Sequence, residues 1–245
     1  MMAEMTPELS EICGIHAGDG YLRDDGQRRE LDISGSFEEQ IYYDRHVIPL
    51  FSKEFNLKVN GRIFASRRTY GFVLRGKKIT RFFNQELGFC LGSKSLIVKV
   101  PEQILYSDSL LIISRFLRGL FDTDGSLYFK NKRTCKNYIE FKKTNNYYPV
   151  VSFTTVSKNL ADQIKGLLLR FGFSRVNIYS YKPKVASNNI SYRVYFSGTD
   201  NLIKFFNEIG SMNPIKYSRY ELWKKQGYCL PHLSYLERVK LLKEN

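Results

Sequence analysis

The chain repeats itself, and a repeat limits the possible folds more than any single motif does. Three landmarks occur twice in the same order. The first is a small-residue helical segment ending in Asp-Gly: CGIHAGDGYL, closing at Asp19-Gly20, and RGLFDTDGSLYF, closing at Asp124-Gly125. The second is a late amphipathic helix, RFFNQELG from Arg81 to Gly88 and KFFNEIG from Lys204 to Gly210. The third is a lysine soon afterwards, Lys94 in GSKS and Lys216 in NPIK. The second copy is longer, and its surplus falls between Asn131 and Tyr148, in a lysine-rich stretch that reads as a longer strand-joining loop.

Between the landmarks the two copies read alike. In the first, YLRDDG and RRELDISGS form a hairpin with turn chemistry at Asp24-Asp25-Gly26. A helix is expected over about 38–55, then strands in LKVNGRIFAS and YGFVLRG, then the helix closing at Gly88. In the second, SLYFKN and YPVVSFTTVS form the hairpin, followed by a helix over about 158–171, strands in RVNIYSY and ISYRVYF, and the helix closing at Gly210. Each half is therefore helix–strand–strand–helix–strand–strand–helix. The join falls in VPEQILYSDS, giving units of residues 1–103 and 104–245, and LSYLERVKLLKEN adds one more amphipathic helix.

The repeated aspartate stands where helix physics disfavours it. Phe116, Leu117, Leu120 and Phe121 make one apolar face, and Gly125 is expected to end the helix, so Asp124 lies at the negative end of the dipole. Asp19 repeats the arrangement. Gly14 and Gly18 lie four apart on one helix face, and Gly119 and Thr123 repeat that spacing; such small residues let another backbone approach closely. Helices packed through these faces bring Asp19 and Asp124 together, which calls for a raised pKa or a cation. Oxygen donors without His or Cys point to Mg²⁺, with Mn²⁺ or another divalent cation able to substitute. A metal between a water and a phosphodiester is a route to hydrolysis.

Composition narrows the partner. Thirty-eight Lys and Arg against 24 acids give a net charge of +14, which favours nucleic acid. The basic residues are spread through strands rather than gathered on one amphipathic helix, and no apolar run approaches the ~18 residues of a membrane span, so no membrane partner is expected. Cys13, Cys90, Cys135 and Cys229 have no zinc or disulfide spacing, and His16, His46 and His232 are scattered. The acidic N-terminus resembles no targeting signal, which implies a cytoplasmic, nucleoid-associated chain or one in an organellar matrix. No GxxxxGK[ST] loop is present, so ATP-driven chemistry is not indicated.

The segments ICGIHAGDG (residues 12–20) and LRGLFDTDG (residues 117–125) resemble the LAGLIDADG motif of homing endonucleases, in the single-chain, pseudo-symmetric form with two motifs. That resemblance implies an α+β fold: a duplicated αββαββα unit whose motif helices form the central interface and whose two antiparallel sheets form a saddle for DNA. It implies metal-bound acids at the eighth motif position, Asp19 and Asp124, with the carbonyls of Gly18 and Thr123 completing the shell. It also assigns Lys94 and Lys216 to the water network or to phosphate charge, and Ser157 to orienting water at the start of a middle helix. The motif departs from the family pattern at His16 and Ala17. His16 reads as an interface or core residue, and Asp122, two residues before Asp124, as structural.

Strand alternation gives the surface that would meet DNA. Arg62, Phe64 and Ser66 are expected on one face of their strand with Arg67 and Arg68 at its end, and Arg75 and Lys77 follow the next strand. In the second half Lys130, Lys132 and Arg133 extend past the hairpin, and Lys182, Lys184 and Arg193 decorate the last strand pair, interleaved with Tyr179, Tyr181, Tyr192 and Tyr195. The resulting expectation is a monomeric, sequence-specific, divalent-metal-dependent endonuclease making a staggered cut with 3′ overhangs at a long asymmetric double-stranded site. The alternatives are a maturase acting on intron RNA, or a non-catalytic DNA-binding regulator on the same fold. An intein is not expected, because the chain starts with Met and ends KEN, without the terminal chemistry of protein splicing.

Overall fold

The repeat is visible in the order of elements, which a computed structural model describes over residues 4–131, 146–182 and 189–244. First come α1 (Pro7–Asp19), β1 (Gly20–Asp24) and β2 (Arg29–Ser36). A helical stretch across 37–55 follows, in which α2 (Gln40–Tyr42) and α3 (Ile48–Phe55) are joined by a π-turn at Tyr43–Val47. Next are β3 (Arg62–Phe64), β4 (Thr69–Arg75) and α4 (Lys77–Arg81), the last continued by a π-turn over Phe82–Glu86. Past the short α5 (Glu102–Leu105), the series recurs as α6 (Leu110–Asp124), β5 (Gly125–Lys130), β6 (Tyr148–Thr155), α7 (Lys158–Arg170), β7 (Asn177–Tyr181), β8 (Ser191–Ser197) and α8 (Thr199–Glu208). Two more helices close the chain, α9 (Pro214–Gln226) and α10 (Tyr235–Lys243).

Both sheets are antiparallel and four-stranded, in the orders β1-β2-β4-β3 and β5-β6-β8-β7. Ile33 is in register with Gly20 and Phe72, and Phe153 with Gly125 and Val194. One face of each sheet is therefore an apolar layer: Leu22, Leu31, Ile33 and Phe72 in the first, Leu127, Val151, Phe153, Val194 and Phe196 in the second, all buried. The α1–α6 pair forms the middle of the molecule.

That pair is close because its glycines permit it. A Cβ on Gly14 would stand 2.1 Å from the carbonyl oxygen of Phe116, and one on Gly119 would stand 2.3 Å from that of Glu11. Polar bonds tie the helices where the glycines bring them together. Ser10 Oγ donates to Ile112 O at 2.7 Å, and the buried Glu11 carboxylate accepts from the Arg118 guanidinium and pairs with His46 Nε2 at 2.7 Å.

Two sequence expectations need correction, at Ser66 and at Tyr192. Gly20 and Gly125 close α1 and α6 as expected, and both are extended and open β1 and β5. Glycine is required there for space, since a Cβ would fall 2.0 Å from His16 Nδ1 at Gly20 and 2.3 Å from Phe121 Cδ2 at Gly125. Ser66 is not in a strand: β3 stops at Phe64, and Ser66 lies in a 3₁₀ turn at Ala65–Arg67 that ends at Arg68 with φ 52°. Lys77 follows β4 as expected and starts α4, because Gly76 at φ 135° turns the chain out of the sheet. Finally, Tyr192 packs toward the core while Arg193 and Tyr195 face outward, as strand alternation requires. The helix α9 has no counterpart among the sequence expectations.

Candidate functional site

The site lies where α1 and α6 end side by side. Asp19 is half-buried, and its Oδ2 accepts a 2.7 Å hydrogen bond from the Tyr43 hydroxyl. Burial pushes its carboxyl up to about 7, reinforced by the negative charges of Asp124 and Glu39, while the Tyr43 bond and Lys216 oppose the rise. Asp124 shifts upward for the same leading reason, burial, with Lys94 and Lys216 opposing it. Its side chain keeps more contact with solvent than that of Asp19, so the effect is weaker there.

The two lysines converge on the same place from either half. Lys94 Nζ donates to Gly18 O at 2.7 Å; Lys216 Nζ donates to Thr123 O at 2.6 Å and to Phe121 O at 2.8 Å. Each ammonium thus holds the carbonyl immediately before one of the aspartates. Burial lowers both lysines from their ordinary value, and the nearby carboxylates work against that lowering. A Cβ on Gly18 would lie 2.1 Å from Thr123 Oγ1 and 3.4 Å from Asp124 Cγ, so the seventh motif positions also meet across the interface.

Two further residues belong to this cluster. Glu39, at the start of the first half's middle helix, is half-buried, and burial pushes its carboxyl up against the opposing pull of Lys216. Asn213, fully buried, donates from Nδ2 to Glu39 Oε1 at 2.7 Å and to Asp122 O at 2.9 Å. Glu39 had no distinguishing signal in a loosely aligned segment. Asn213 did: an Asn before Pro214 is a helix-start signal, and it marks the beginning of α9.

The remaining sequence candidates divide clearly. Ser157 caps α7, accepting from Leu160 N at 3.2 Å and donating to Val98 O at 2.7 Å, so its hydroxyl is occupied in structural bonds. Asp122 is completely buried and accepts from Ser211 Oγ at 2.5 Å and Met212 N at 2.7 Å, away from Asp124. His16 is buried between the rings of Phe83 and Phe89. Asp24 and Asp25 accept from turn backbone amides, as turn residues do.

On the outer surface Arg62 and Arg67 both lie over the Phe64 ring, at 4.6 and 4.3 Å. Arg67 also pairs with Asp32 at 2.9 Å, and Arg75 with Glu30 at 2.9 Å. These acidic partners, which residue spacing does not reveal, offset part of the first sheet's positive charge. Arg68, Lys77, Lys130 and Lys182 are exposed, with Lys130 near the Tyr128 ring. Arg193 is half-buried against Tyr181, opposite Thr154 and Tyr179 in register. Lys132, Arg133 and Lys184 lie outside the described residues.

The donor set decides which metal fits. Among the described residues no group of three or more His, Cys, Asp or Glu side chains converges to hold an ion. Two carboxylates and the adjacent carbonyl oxygens of Gly18 and Thr123 suit a hard cation that keeps part of its water shell, and do not suit Zn²⁺. The upward shift of Asp19 is the mark of a carboxylate taken out of water beside other negative charges, without enough positive charge to balance them.

Known proteins resemble this chain in sequence and in fold. A LAGLIDADG-like domain matches residues 112–210. Replicative DNA helicase DnaB of Rhodothermus marinus is 30% identical over 176 residues, which cover 68% of this chain and 17% of the helicase. The DnaB of a Nostoc species is 26% identical over 77% of this chain and 19% of the helicase. The chain thus spans about a fifth of the length of these relatives. Among solved structures, the homing endonuclease I-DmoI in complex with DNA and Mn superimposes with a TM-score of 0.53 at 18% identity, covering 84% of this chain and 98% of that one. The N-terminal LAGLIDADG domain of DUF199/WhiA gives a TM-score of 0.51 at 16% identity, covering 85% and 83%. No helix among the described residues is long and apolar enough to cross a membrane. The chain therefore carries a LAGLIDADG-like domain in its second half and shares its fold, over most of its length, with the LAGLIDADG homing endonucleases.

Proposed function

We propose that the protein is a site-specific endonuclease that hydrolyses both strands of a long, asymmetric double-stranded DNA target with a divalent cation, Mg²⁺ or Mn²⁺, leaving 3′ overhangs. The observation that carries this reading is the doubled arrangement at the helix ends: Asp19 and Asp124, each preceded by a carbonyl that a lysine of its own half holds. A divalent cation, when bound there by Asp19, Asp124 and the carbonyls of Gly18 and Thr123, lowers the pKa of water and offsets phosphodiester charge. Tyr43 fixes the orientation of the Asp19 carboxylate. Lys94 and Lys216 place positive charge beside the scissile phosphate while holding the two carbonyls in line.

The outer faces of the two sheets supply the DNA surface. Arg62, Arg68, Lys77, Lys130 and Lys182 are positioned to contact phosphates, and Tyr179 and Arg193 to contact base edges in the major groove. The likeness to replicative helicases does not extend this proposal to helicase action, because the matched part is a fifth of those proteins and this sequence has no phosphate-binding loop. A regulator that binds DNA without cutting it has no need of both acids, and both are present.

The test is cleavage of a randomised duplex library with Mg²⁺ or Mn²⁺ by the wild type, Asp19→Asn and Asp124→Asn, followed by sequencing of the ends. A single long asymmetric site cut by the wild type and bound but left intact by the variants is the expected result. Binding of duplex DNA or intron RNA with no cutting under either metal transfers the function to a regulator or a maturase.

A further inference from the structure

The two lysines reach equivalent carbonyls by unequal means. Lys94 stands in a turn after β4 and α4, and its ammonium makes one described hydrogen bond, to Gly18 O. Lys216 stands in the first turn of α9, a helix of 13 residues, and its ammonium bridges Phe121 O and Thr123 O. What sets that helix in place is the strap from Ser211 to Asn213. Asp122, on the motif helix, accepts from Ser211 Oγ and from Met212 N. Asn213 then caps α9, its Oδ1 accepting from Ile215 N at 3.1 Å, while its Nδ2 spends both hydrogens on Asp122 O and Glu39 Oε1. The amide of Asn213 has two donor hydrogens and one carbonyl oxygen, and all are in use.

Glu39 belongs to the other half of the molecule. Its bond to Asn213 therefore joins the middle helix of the first half to the helix that delivers Lys216 and to the motif helix that delivers Asp124. Lys94 is braced through a separate contact: Val98 N donates to Lys94 O at 2.7 Å, and Ser157 Oγ, at the start of the second half's middle helix, donates to Val98 O at 2.7 Å. Both partners of the Glu39–Asn213 bond sit at least partly out of water, where a single hydrogen bond holds geometry more firmly than it does at the surface.

We propose that Asn213 and Glu39 form a clasp that positions Lys216, so that the cleavage centre served by Lys216 depends on this side-chain bond between the halves while the one served by Lys94 does not. Neither residue is a catalytic group in this scheme; both act through Lys216. The inference rests on the nuclease reading. It predicts that loosening the clasp slows one strand's cut and spares the other, because a displacement of about 1 Å at a positioning group costs on the order of 100-fold in rate.

The experiment follows both strands of one duplex target, each labelled separately, under saturating protein with Mg²⁺. The proteins are wild type, Glu39→Ala, Glu39→Gln and Asn213→Ser. Glutamine keeps an oxygen that accepts from Asn213 Nδ2 but removes the charge beside Lys216; serine keeps the cap of α9 and loses both donors. The expected result is a loss of roughly 10- to 100-fold on one strand for Glu39→Ala and Asn213→Ser, with nicked duplex accumulating, the other strand within about twofold of wild type, and Glu39→Gln restoring most of the lost rate. The spared strand is the internal control for folding. Equal slowing of both strands, no slowing, or Glu39→Gln as slow as Glu39→Ala overturns the clasp, the last because it shows that charge and not the hydrogen bond matters. A wild type that cuts neither strand overturns the nuclease reading and the clasp with it.

Discussion

At the residue scale the central glycines are the least replaceable positions. Gly14→Ala drives a methyl into the Phe116 carbonyl, a backbone atom that cannot step aside, and is expected to cost about 3 kcal/mol, or roughly 6–12 °C in melting temperature. Gly166 is the opposite case: it lies inside α7, and a methyl added there would meet nothing within 4 Å, so Gly166→Ala should gain about 1 kcal/mol. Thermal melts of the two variants check both signs. The upward shift of Asp19 makes a second prediction, one that needs no enzymatic activity. A carboxyl raised above its unfolded value costs the fold stability as pH rises through its folded value, here about 7, and regains it on acidification. At pH 8 without divalent cations Asp19→Asn is therefore expected to melt above wild type, and added Mg²⁺ should raise the wild type's melting temperature and leave the variant's nearly unchanged. A wild type indifferent to the cation would sink the assignment of the metal. The motif residues were legible one by one, but not all their reasons were: Gly20 and Gly125 end their helices as read, and are also extended residues that make room for His16 and Phe121.

Elements are held by the pairing of α1 with α6, and the buried Glu11–Arg118–His46 group shows how. Burial alone would raise the Glu11 carboxyl, yet the hydrogen bonds from His46 and Arg118 outweigh it and hold the group below its ordinary value of 4.5. A depressed carboxyl contributes stability that is present above pH 4.5 and is lost as pH falls through the lower folded value. Acid titration of the wild type should therefore show a loss of stability beginning below about pH 4.5, and Glu11→Gln should flatten that part of the curve. Arg118→Met leaves the carboxylate buried beside a single partner and is expected to cost about 3–5 kcal/mol at pH 7, measured by denaturant unfolding. The element order was legible from periodicity and turn chemistry in both halves, including the hairpins and the helices closing at Gly88 and Gly210, where the backbone turns to positive φ. The exceptions have local causes. A 3₁₀ turn takes over from β3 before Ser66, and α9 was hidden because its mixed polar sequence, PIKYSRYELWKKQ, has no clean apolar stripe and gains its burial only by packing on other elements.

For the whole molecule, the net charge of +14 makes DNA affinity depend on salt. The logarithm of the dissociation constant should rise linearly with the logarithm of salt concentration. Arg62→Ala or Lys182→Ala should each reduce the slope by about one, while weakening all duplexes alike. Arg75→Ala should change the slope less, because its guanidinium is already paired with Glu30 at 2.9 Å. Titrations at several salt concentrations distinguish these cases, and equal slopes for all three variants would remove this face from the DNA surface.

The sequence by itself determined the duplication, the identity of the paired acids and their lysines, and the basic character of the strands. Those properties are carried by residue type and spacing, which periodicity and motif order expose directly. Only the tertiary structure decided what those residues meet. Lys94 and Lys216 turn out to hold the carbonyls preceding Asp19 and Asp124, and Arg67 and Arg75 turn out to be partly neutralised by Asp32 and Glu30. The Glu39–Asn213 bond spans residues 174 positions apart. Contacts of that kind arise from how the two halves dock, and neighbouring residues in the chain carry no record of it.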